Sequence, residues 1–490
     1  MGEGPRPKGM STSSRRVFVK AVVAGSGVVW VGCGDGSEDA STQAASSGSG
    51  GAGGNGSGGA GAVGGAGGQP AVVEPPEMVP ESDAFPLGIS SGDATGSDVV
   101  LWCRYAGRRD LEVAVYEMNG EDYVSELGPF PAAVEDYGIV HVQADGLIAG
   151  GRYRYAFFEL ESGDRVARSA IGRFRAPIAD GALEPLIFGA VSCTDNSKPF
   201  DTLARAADRD DLDAFLFVGD NAYCDGCETL DEYRALYVEH WGKPEHRALR
   251  ASTSLLMSWD DHEVQNDWNP ETIDAQRLED AFQAFFEHAP LRRVQEAPRR
   301  IWRSRRWGKT AEIFVLDCRS ERRPSTILSG DPEYLSAEQL AWLKEGLTKS
   351  EAKFKLILNS VPITDMPLLW DAYSTDRWEG YGGQREEILS FIDDNAISGV
   401  VWVAGDFHLA FISKIGNGGG PGATQLEVLV GPGAQSPSPL AWTLQPPQFE
   451  WVTDTNNYAA FHLDPAAETL RVVHHDPLGA VLNDVSYRLS

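Results

Sequence analysis

Between residues 85 and 177, apolar and polar side chains alternate along the chain in short runs. Alternation with a period of two is typical of strands that bury one face and expose the other. Gly, Asp and Asn residues, which favour turns, separate the runs. The runs that we interpret as strands are DVVLWCRY, LEVAVYEM, IVHVQADGL, RYRYAFFEL and GRFRAP.

A second feature of this region is the spacing of Leu147 and Tyr153 in GLIAGGRYRY. A leucine six residues before a tyrosine is similar to the tyrosine corner of immunoglobulin-type sandwiches. Together with the alternating runs, it predicts an N-terminal β-sandwich of immunoglobulin or fibronectin III type, which we bound at residues 83–178.

Beyond residue 184 the pattern changes to continuous apolar runs that alternate with amphipathic segments. Runs such as LIFGAVSC, AFLFVGD and FKLILNSVP favour strands that are buried on both faces. Segments such as FDTLARAADR, LDEYRALYVEHW and SAEQLAWLKEGL are predicted helices. After about residue 425 the chain is rich in strand signals. The alternation predicts an α/β domain over residues 184–490, so the whole chain is of mixed α/β and α+β class.

The predicted strands of the second region end in side chains that can bind metal ions. Ligands of open α/β sheets bind beyond the carboxyl ends of the strands. One or two polar strand ends are common, but five or six of them indicate a shared site. The residues at these strand ends are Cys193, Asp220, Tyr223, Asp260, Asp261, His262, Asp317, Asn359, Asp406 and His408.

Charge sharpens this interpretation, because several of these side chains are anionic when they bind a metal. Two like charges about 4 Å apart repel each other by about 4 kcal/mol at an effective dielectric constant near 20. About five positive charges, for example one trivalent and one divalent cation, would offset such a cluster. We therefore predict a binuclear metal centre. The potentially anionic members are Cys193, Asp220, Tyr223, Asp261 and Asp406.

Taken singly, some of these residues have ordinary structural explanations. An aspartate that ends a strand, such as Asp220 in GDNAY, is often a helix cap. A lone cysteine such as Cys193 is more often a small buried apolar residue. The WDDHE sequence at residues 259–263 is more specific, and the Asp-x-His spacing of GDFH can send two ligands to neighbouring metals.

In combination, the motifs from about residue 85 to residue 489 resemble the PhoD-like alkaline phosphatases and phosphodiesterases of the calcineurin-like metallophosphoesterase superfamily. The N-terminal stretch GISSGDATGSDVVLWCR is similar to the first domain of that family. The catalytic stretches that carry the resemblance, in the family's order, are FGAVSC, FVGDNAY, DEYRALY, WDDHEVQNDW, VLDCRS, LSAEQLAWL, LILNSVP, WEGYGGQRE and VWVAGDFH. The resemblance implies an α/β/β/α sandwich for the second domain.

The resemblance also implies a ferric ion and a second divalent cation, usually Ca²⁺. Asp220 would bridge the two metals, and Asn359 matches a position where relatives carry a ligand. The implied ligands of the ferric ion are Cys193, Asp220, Tyr223 and His408. The implied ligands that complete the second site are Asp261 and Asp406.

Two further residues receive candidate catalytic roles from the resemblance and from their neighbours. Arg234 in DEYRALY resembles a phosphate-contacting arginine, which can clamp two phosphate oxygens; its ordinary alternative is a solvated helix face. His262 is our candidate to orient the phosphoryl group or to protonate the departing oxygen, and its alternative is a histidine satisfied by packing. Trp378, Tyr381 and Arg385 are weaker candidates for the substrate entrance.

The N-terminal segment is typical of an exported protein. SSRRVFVK followed by an apolar run over residues 21–31 resembles a twin-arginine export signal. WVGC resembles a lipoprotein cleavage box with Cys33 as the acylated residue, and an ordinary signal peptide is the alternative. We assign residues 1–33 to the signal and residues 34–82, rich in Gly, Ser and Ala, to a flexible linker.

The overall charge and the remaining cysteines add two constraints. With 42 Lys plus Arg against 71 Asp plus Glu, the net charge of −29 argues against binding to a nucleic-acid backbone. Cys224 and Cys227 have the Cys-x-x-Cys spacing, and a disulfide is the favoured use in an exported protein.

These observations together predict an exported, periplasmic or cell-surface phosphoesterase, expected to be monomeric and to touch the membrane only through a lipid anchor. It would hydrolyse small phosphomonoesters, phosphodiesters or both by attack of a metal-bound hydroxide on phosphorus. The alternative is a surface-tethered binding module whose α/β domain is catalytically inactive. An incomplete ligand set would have favoured that alternative.

Overall fold

The computed structural model describes residues 73–416 and 418–489 and, of residues 371–373, the backbone alone. The strands of the first region are β1 Ile89–Gly92, β2 Asp98–Arg104, β3 Asp110–Asn119, β4 Asp122–Pro131, β5 Ile139–Asp145, β6 Arg152–Glu161, β7 Asp164–Arg168 and β8 Gly172–Arg175. The later strands are β9 Leu186–Val191, β10 Ala214–Val218, β11 Ser254–Ser258, β12 Arg303–Trp307, β13 Ala311–Val315, β14 Phe354–Leu358, β15 Val400–Ala404, β16 Ala410–Lys414, β17 Leu426–Leu429, β18 Phe449–Thr453, β19 Tyr458–Asp464, β20 Thr469–His475 and β21 Val481–Arg488. The α-helices are α1 Asp201–Ala207, α2 Leu230–Trp241, α3 Pro244–Ser252, α4 Ala275–His288, α5 Ala337–Lys349 and α6 Gly382–Asp394.

The N-terminal region forms the predicted pair of layers. One layer is a five-stranded antiparallel sheet of order β4-β3-β6-β7 with β8 on β6. The other is made of β1, β2 and β5, and Val99, Leu101, Val113 and Tyr155 pack between the layers. Tyr153 forms the predicted corner, because its hydroxyl accepts a hydrogen bond from the backbone N–H of Ile148 at 2.6 Å.

The second layer of this sandwich is not confined to the N-terminal region. It continues into a nine-stranded sheet of order β21-β20-β19-β9-β10-β11-β1-β2-β5, in which β1 pairs in parallel with β11. Pairing covers the edge of β11, whose unpaired backbone groups would otherwise be exposed. We predicted neither β1 nor this connection, because the four residues of β1 show no alternation of apolar and polar positions.

The second region adds a seven-stranded sheet of order β12-β13-β14-β15-β17-β16-β18. Successive side chains of its strands point to opposite faces. Ile313 and Leu356 belong to the core that it shares with the nine-stranded sheet, whereas Phe314 and Ile357 pack with α5 and α6. On the far side of the nine-stranded sheet, α1 contacts β19 and α3 contacts β11. The implied α/β/β/α sandwich is therefore present.

The boundary of the predicted linker changes in the structure. Of residues 34–82, the last ten are described, and they pack on the N-terminal region. Ser82 and Pro80 pair with the backbone of Arg168 at 2.8 and 2.9 Å, and the Arg168 guanidinium donates to the carbonyl of Pro76 at 3.0 Å. The predicted signal, Cys33 and the rest of the linker lie outside the described residues. Among the helices of the described ranges, none has the length and apolarity needed to cross a membrane.

Candidate metal centre

The candidate site lies at the carboxyl ends of the central parallel strands. Cys193 follows β9, Asp220 follows β10, Asp261 follows β11, and Asp406 and His408 follow β15. Four of these five residues have left-handed backbone conformations, with φ of 56° at Cys193, 54° at Asp220, 73° at Asp406 and 54° at His408. Such conformations are unfavourable for residues with a Cβ and often mark functional sites.

One group of donor atoms comprises those of Cys193, Asp220 and His408, which all lie within 4.8 Å of one another. The Tyr223 hydroxyl joins them, at 3.4 Å from Oδ2 of Asp220 and 3.3 Å from Nε2 of His408. The structure thus brings together the four residues expected to hold the ferric ion.

A second group shares Asp220 with the first. Carboxylate oxygens of Asp220, Asp260, Asp261 and Asp406 lie within 4.8 Å of one another. The expected bridging position of Asp220 and the expected second-site positions of Asp261 and Asp406 are therefore geometrically compatible. A further set of oxygens, from Asp261, Asp267 and Asp376, satisfies the same distance.

Burial and mutual repulsion disfavour the anionic forms of most of these groups. Burial raises the pKa of the Cys193 thiol well above its usual range, and the carboxylates of Asp220 and Asp406 act in the same direction. Burial likewise raises the pKa values of Asp220, Tyr223 and Asp406 well above their usual ranges, with neighbouring anions adding to each. A bound cation would favour the anionic forms of these same side chains.

Asp261 provides a more specific test of fit. Its Oδ1 is buried and has no hydrogen-bond partner among the described residues, while its Oδ2 accepts the backbone N–H of Asp267 at 2.5 Å. A buried carboxylate oxygen without a partner is unfavourable unless a ligand completes it. The donor set and this oxygen together fit a pair of metal ions.

Glu263 fixes the backbone that carries the ligands. Its buried carboxylate accepts the backbone N–H groups of Asp220 at 3.2 Å, Asn221 at 2.5 Å and Asp260 at 2.8 Å. It therefore ties the end of β10 to the end of β11. We did not predict this role, because in the sequence Glu263 is simply another acid in WDDHE.

His262, our candidate catalytic residue, lies beside the first donor group. Its Nδ1 is 2.7 Å from Oδ2 of Asp225, and its ring lies 4.1 Å from the ring of Tyr223, measured between centroids. Burial opposes protonation, but Asp220, Asp225 and Asp261 together raise the pKa of His262 to about 11. The carboxylates around His262 therefore favour its protonated form.

Asn359 has partners that differ from those we expected. Its Oδ1 accepts hydrogen bonds from the indole N–H of Trp378 at 2.8 Å and from the thiol of Cys318 at 3.1 Å. Both contacts occupy the one atom of the amide that could bind a metal. Asn359 therefore anchors Trp378 in this structure and is not arranged as a ligand.

Arg234 is also placed differently from our expectation. Its guanidinium donates to both carboxylate oxygens of Glu287, at 2.7 and 2.6 Å, and lies over the ring of Tyr137 from the N-terminal region. Its described contacts include none of the donor groups. Arg234 thus joins α2 to α4 and the N-terminal region, which corrects the phosphate-contacting role.

Two of the three expected entrance residues are buried. Trp378 and Tyr381 are fully buried, and Arg385 donates to the backbone carbonyl of Ile363 at 2.7 Å. All three belong to α6 or the segment before it. Motif position alone does not show whether a residue is buried.

Cys224 and Cys227 are both free, buried thiols in this structure. They face each other across a turn in which the N–H of Cys227 donates to the carbonyl of Cys224 at 3.1 Å. A hydrogen bond from Cys224 lowers the pKa of the Cys227 thiol, while burial raises that of Cys224. The predicted disulfide is not formed here, although its two sulfurs are neighbours.

The fold is shared with solved phosphatase structures. The structure described as that of PhoD aligns with a TM-score of 0.71 and 21% identity, covering 82% of this chain and 93% of that one. Purple acid phosphatase PPD1 from yellow lupin (Lupinus luteus) aligns with a TM-score of 0.60 and 13% identity, covering 81% of this chain and 73% of that one. At these identities the likeness concerns the fold alone.

The sequence comparisons define the family. The PhoD-like phosphatase model matches residues 188–461, more than half of the chain, and the model of the PhoD-like phosphatase N-terminal domain matches residues 71–177. This chain belongs to the PhoD-like phosphatase family. A relative, alkaline phosphatase D of Bacillus subtilis (strain 168), is 27% identical over 387 residues. That match covers 68% of this chain and 65% of the relative, which is just under two thirds of its length.

Proposed function

We propose that this protein is an exported, metal-dependent phosphoesterase that hydrolyses small phosphomonoesters, phosphodiesters or both. The observation that carries the proposal is the position of Asp220, whose carboxylate belongs to two adjoining groups of buried donor atoms. A carboxylate shared in this way is what a bridged pair of metal ions requires. The relative named alkaline phosphatase D supports the same class of reaction.

The two groups differ in chemistry, which supports two different cations. Thiolate and phenolate from Cys193 and Tyr223 are strong anionic donors and favour a trivalent ion, for which we propose Fe³⁺. The group of Asp261 and Asp406 offers only carboxylate oxygens, which suit a hard divalent ion such as Ca²⁺. When bound, such a pair activates water and stabilises the attacking and departing oxygens of an in-line displacement at phosphorus.

The chain's own groups would then orient the substrate. Asp225 holds Nδ1 of His262, so Nε2 is the ring nitrogen left to meet a substrate oxygen. A protonated imidazole in that position can hold a phosphoryl oxygen or deliver a proton to the departing alcohol. We therefore propose His262 as the catalytic acid and Asp225 as the residue that orients it.

Metal analysis combined with hydrolysis assays tests the proposal. Purified protein is expected to contain iron and a second cation and to hydrolyse a chromogenic phosphomonoester, its diester analogue, or both. Asp220→Asn should lose metal and lower turnover by more than about 100-fold, since it removes the shared ligand. Asp213→Asn is the matched control, because Asp213 is equally buried but pairs with Arg175 at 2.8 Å outside the donor groups.

The outcomes separate the competing functions. Protein without iron and without turnover of either substrate would favour the inactive binding module. Predominant cleavage of the diester would assign a phosphodiesterase, and predominant cleavage of the monoester a phosphatase.

We further propose export through the twin-arginine pathway and anchoring through acylated Cys33, both supported by the N-terminal motifs. Replacing the arginine pair in SSRRVFVK by lysines should retain the protein in the cytoplasm. Cys33→Ala should abolish labelling by a radioactive fatty acid while leaving export intact. Labelling that persists in Cys33→Ala would exclude Cys33 as the anchor.

A further inference from the structure

A buried arginine lies in the middle of the acidic side of the metal centre. Arg319 is fully buried, and none of our sequence-based candidates included it. Its Nε and Nη2 donate to the two oxygens of Asp260 at 2.6 and 2.7 Å, and its Nη1 donates to Asp376. Nη2 also lies 3.5 Å from Oδ1 of Asp261 and 3.5 Å from Oδ1 of Asp406.

The turn after β13 fixes the position from which the Arg319 guanidinium reaches the carboxylates. Arg319 follows β13 in a turn closed by Asp317, whose Oδ1 accepts the backbone N–H groups of Arg319 at 3.1 Å and Ser320 at 2.9 Å. The backbone N–H of Asp317 in turn donates to Gln339 on α5 at 2.8 Å. The strand end is thus locked, and the arginine has little freedom to point elsewhere.

These contacts exclude direct recognition of substrate by Arg319. All three of its nitrogens donate to carboxylates, and the side chain is not exposed to solvent. A phosphate-clamping arginine needs free N–H groups at an accessible surface. The role of Arg319 must therefore be exerted through its neighbours.

The two adjacent aspartates of WDDHE show what that role is. Both oxygens of Asp260 are engaged, since Oδ1 also accepts from the hydroxyl of Ser360 at 2.7 Å. Asp261, by contrast, keeps Oδ1 without a hydrogen-bond partner in the described part of the chain. Arg319 donates hydrogen bonds to Asp260 but only approaches Asp261 and Asp406, at 3.5 Å from an oxygen of each, so these two carboxylates are the ones available to an ion.

We propose that Arg319 is a positioning residue of the metal centre, a built-in cation that satisfies Asp260 and holds Asp261 and Asp406 in place for the divalent ion. This inference rests on the proposed two-metal function. It predicts that loss of Arg319 weakens the divalent site and spares the iron site, because Cys193, Tyr223 and His408 lie outside the described contacts of Arg319.

The test removes the buried pair as a pair, because Arg319→Met alone would leave the charge of Asp260 uncompensated. The double variant Arg319→Met/Asp260→Asn is compared with Arg234→Met/Glu287→Gln, which removes a bidentate pair of the same type outside the donor groups. Each folded protein is loaded with Fe³⁺ and Ca²⁺ and dialysed against graded chelator. Iron and calcium per chain are then measured by elemental analysis, and the iron absorption band is recorded.

We expect the first double variant to retain calcium about 10–100-fold more weakly than wild type, as when hydrogen-bonded neighbours of metal ligands are lost. Its iron content and absorption band should be unchanged, and the control pair should retain both ions. Wild-type calcium retention in the first variant, or loss of both ions from it, would overturn the inference.

Arg319→Lys provides a second measurement that needs no change at Asp260. Lysine keeps the charge but cannot donate to both oxygens of Asp260 at once. We expect calcium retention between that of wild type and of the double variant, and a wild-type value would contradict the inference. A wild-type protein without any metal would instead refute the proposed function, so the two failures are distinguishable.

Discussion

Among single residues, Gly219 shows how closely the strand ends approach each other at the site. It has a φ of 104°, and a Cβ built on it would lie 2.6 Å from the Cβ of Asp260. Gly226, in the same loop, also has a positive φ (86°) but has open space around it. Comparing substitutions at Gly219 and Gly226 therefore separates the cost of the backbone conformation from the cost of the close contact.

We predict that Gly226→Ala lowers the free energy of unfolding by about 1–2 kcal/mol, the usual penalty of a positive φ for a residue with a Cβ. Gly219→Ala should lose about 1–3 kcal/mol more, because the new methyl group overlaps Asp260. Denaturant unfolding and metal content measure both effects. Equal stabilities of the two variants would contradict the role given to the contact.

Tyr153 is the single residue that fixes the corner of the N-terminal sandwich. Tyr153→Phe should lower the free energy of unfolding by about 1 kcal/mol, because the N–H of Ile148 loses its acceptor. Tyr237→Phe is the control, since the buried hydroxyl of Tyr237 has no hydrogen-bond partner among the described residues. Denaturant unfolding of both variants should show a loss only in the first.

At the scale of secondary-structure elements, the ends of β10 and β11 are held together by one carboxylate. Glu263 accepts three backbone N–H groups there. Glu427 on β17 likewise supports the backbone of another loop, because its carboxylate accepts the backbone N–H groups of Ile363 and Thr364, each at 2.9 Å. Both glutamates are fully buried, which makes them a matched pair.

Glu263→Gln and Glu427→Gln should each lower the free energy of unfolding by about 1–3 kcal/mol, because the amide presents a donor to a buried N–H. Only Glu263→Gln should also release metal, since only Glu263 supports Asp220. Unfolding curves and elemental analysis give the two readouts. Metal loss in Glu427→Gln would show that general destabilisation, and not the strand ends, controls binding.

The order of elements explains how far the sequence could predict this protein. Continuous apolar runs identified the buried strands β9, β10, β11, β13, β14 and β15, and the chain direction then placed Cys193, Asp220, Asp261 and Asp406 at one edge. The functions of Arg319 and Glu263 were missed because charged residues beside a strand end have no distinguishing pattern until their partners, 59 and 43 positions away, are known. Arg234 was misassigned for the same reason, since Glu287 lies 53 positions away.

At the scale of the whole molecule, the N-terminal region and the second region are joined by a buried ion cluster as well as by a shared sheet. Asp93 follows β1 and is fully buried, and it lies 2.7 Å from Arg303 and 3.0 Å from Arg305 of β12. It also accepts the backbone N–H of Arg292 at 2.9 Å. The cluster therefore connects the N-terminal region to the second region, and the nine-stranded sheet, which contains β1, to the seven-stranded sheet, which contains β12.

Asp93→Asn should lower the free energy of unfolding by about 3–5 kcal/mol at neutral pH, because two largely buried guanidinium groups lose their fully buried counter-charge. Burial opposes ionisation, but Arg303 and Arg305 hold the pKa of Asp93 below its ordinary value of 3.8. The stabilisation is thus complete above the ordinary pKa and is lost as the pH falls through the lower, folded-state pKa.

Unfolding of wild type and Asp93→Asn at a series of pH values measures this dependence. The difference between them should be constant at neutral pH and shrink only below about pH 4. Asp98→Asn is the control, because Asp98 pairs with Arg292 at a partly exposed position and should contribute less than about 1 kcal/mol. A difference that disappears near pH 6 would assign the effect to another group.

The left-handed conformations of Cys193, Asp220, Asp406 and His408 have a consequence for how this protein can change over time. Glycine adopts such conformations without strain. If no metal had to be bound, a glycine at any of these four positions would remove the backbone strain of the residue now there. Selection for stability alone would therefore replace the ligands of the centre one after another. An inactive homologue with the same fold is therefore expected to carry glycines at these four positions.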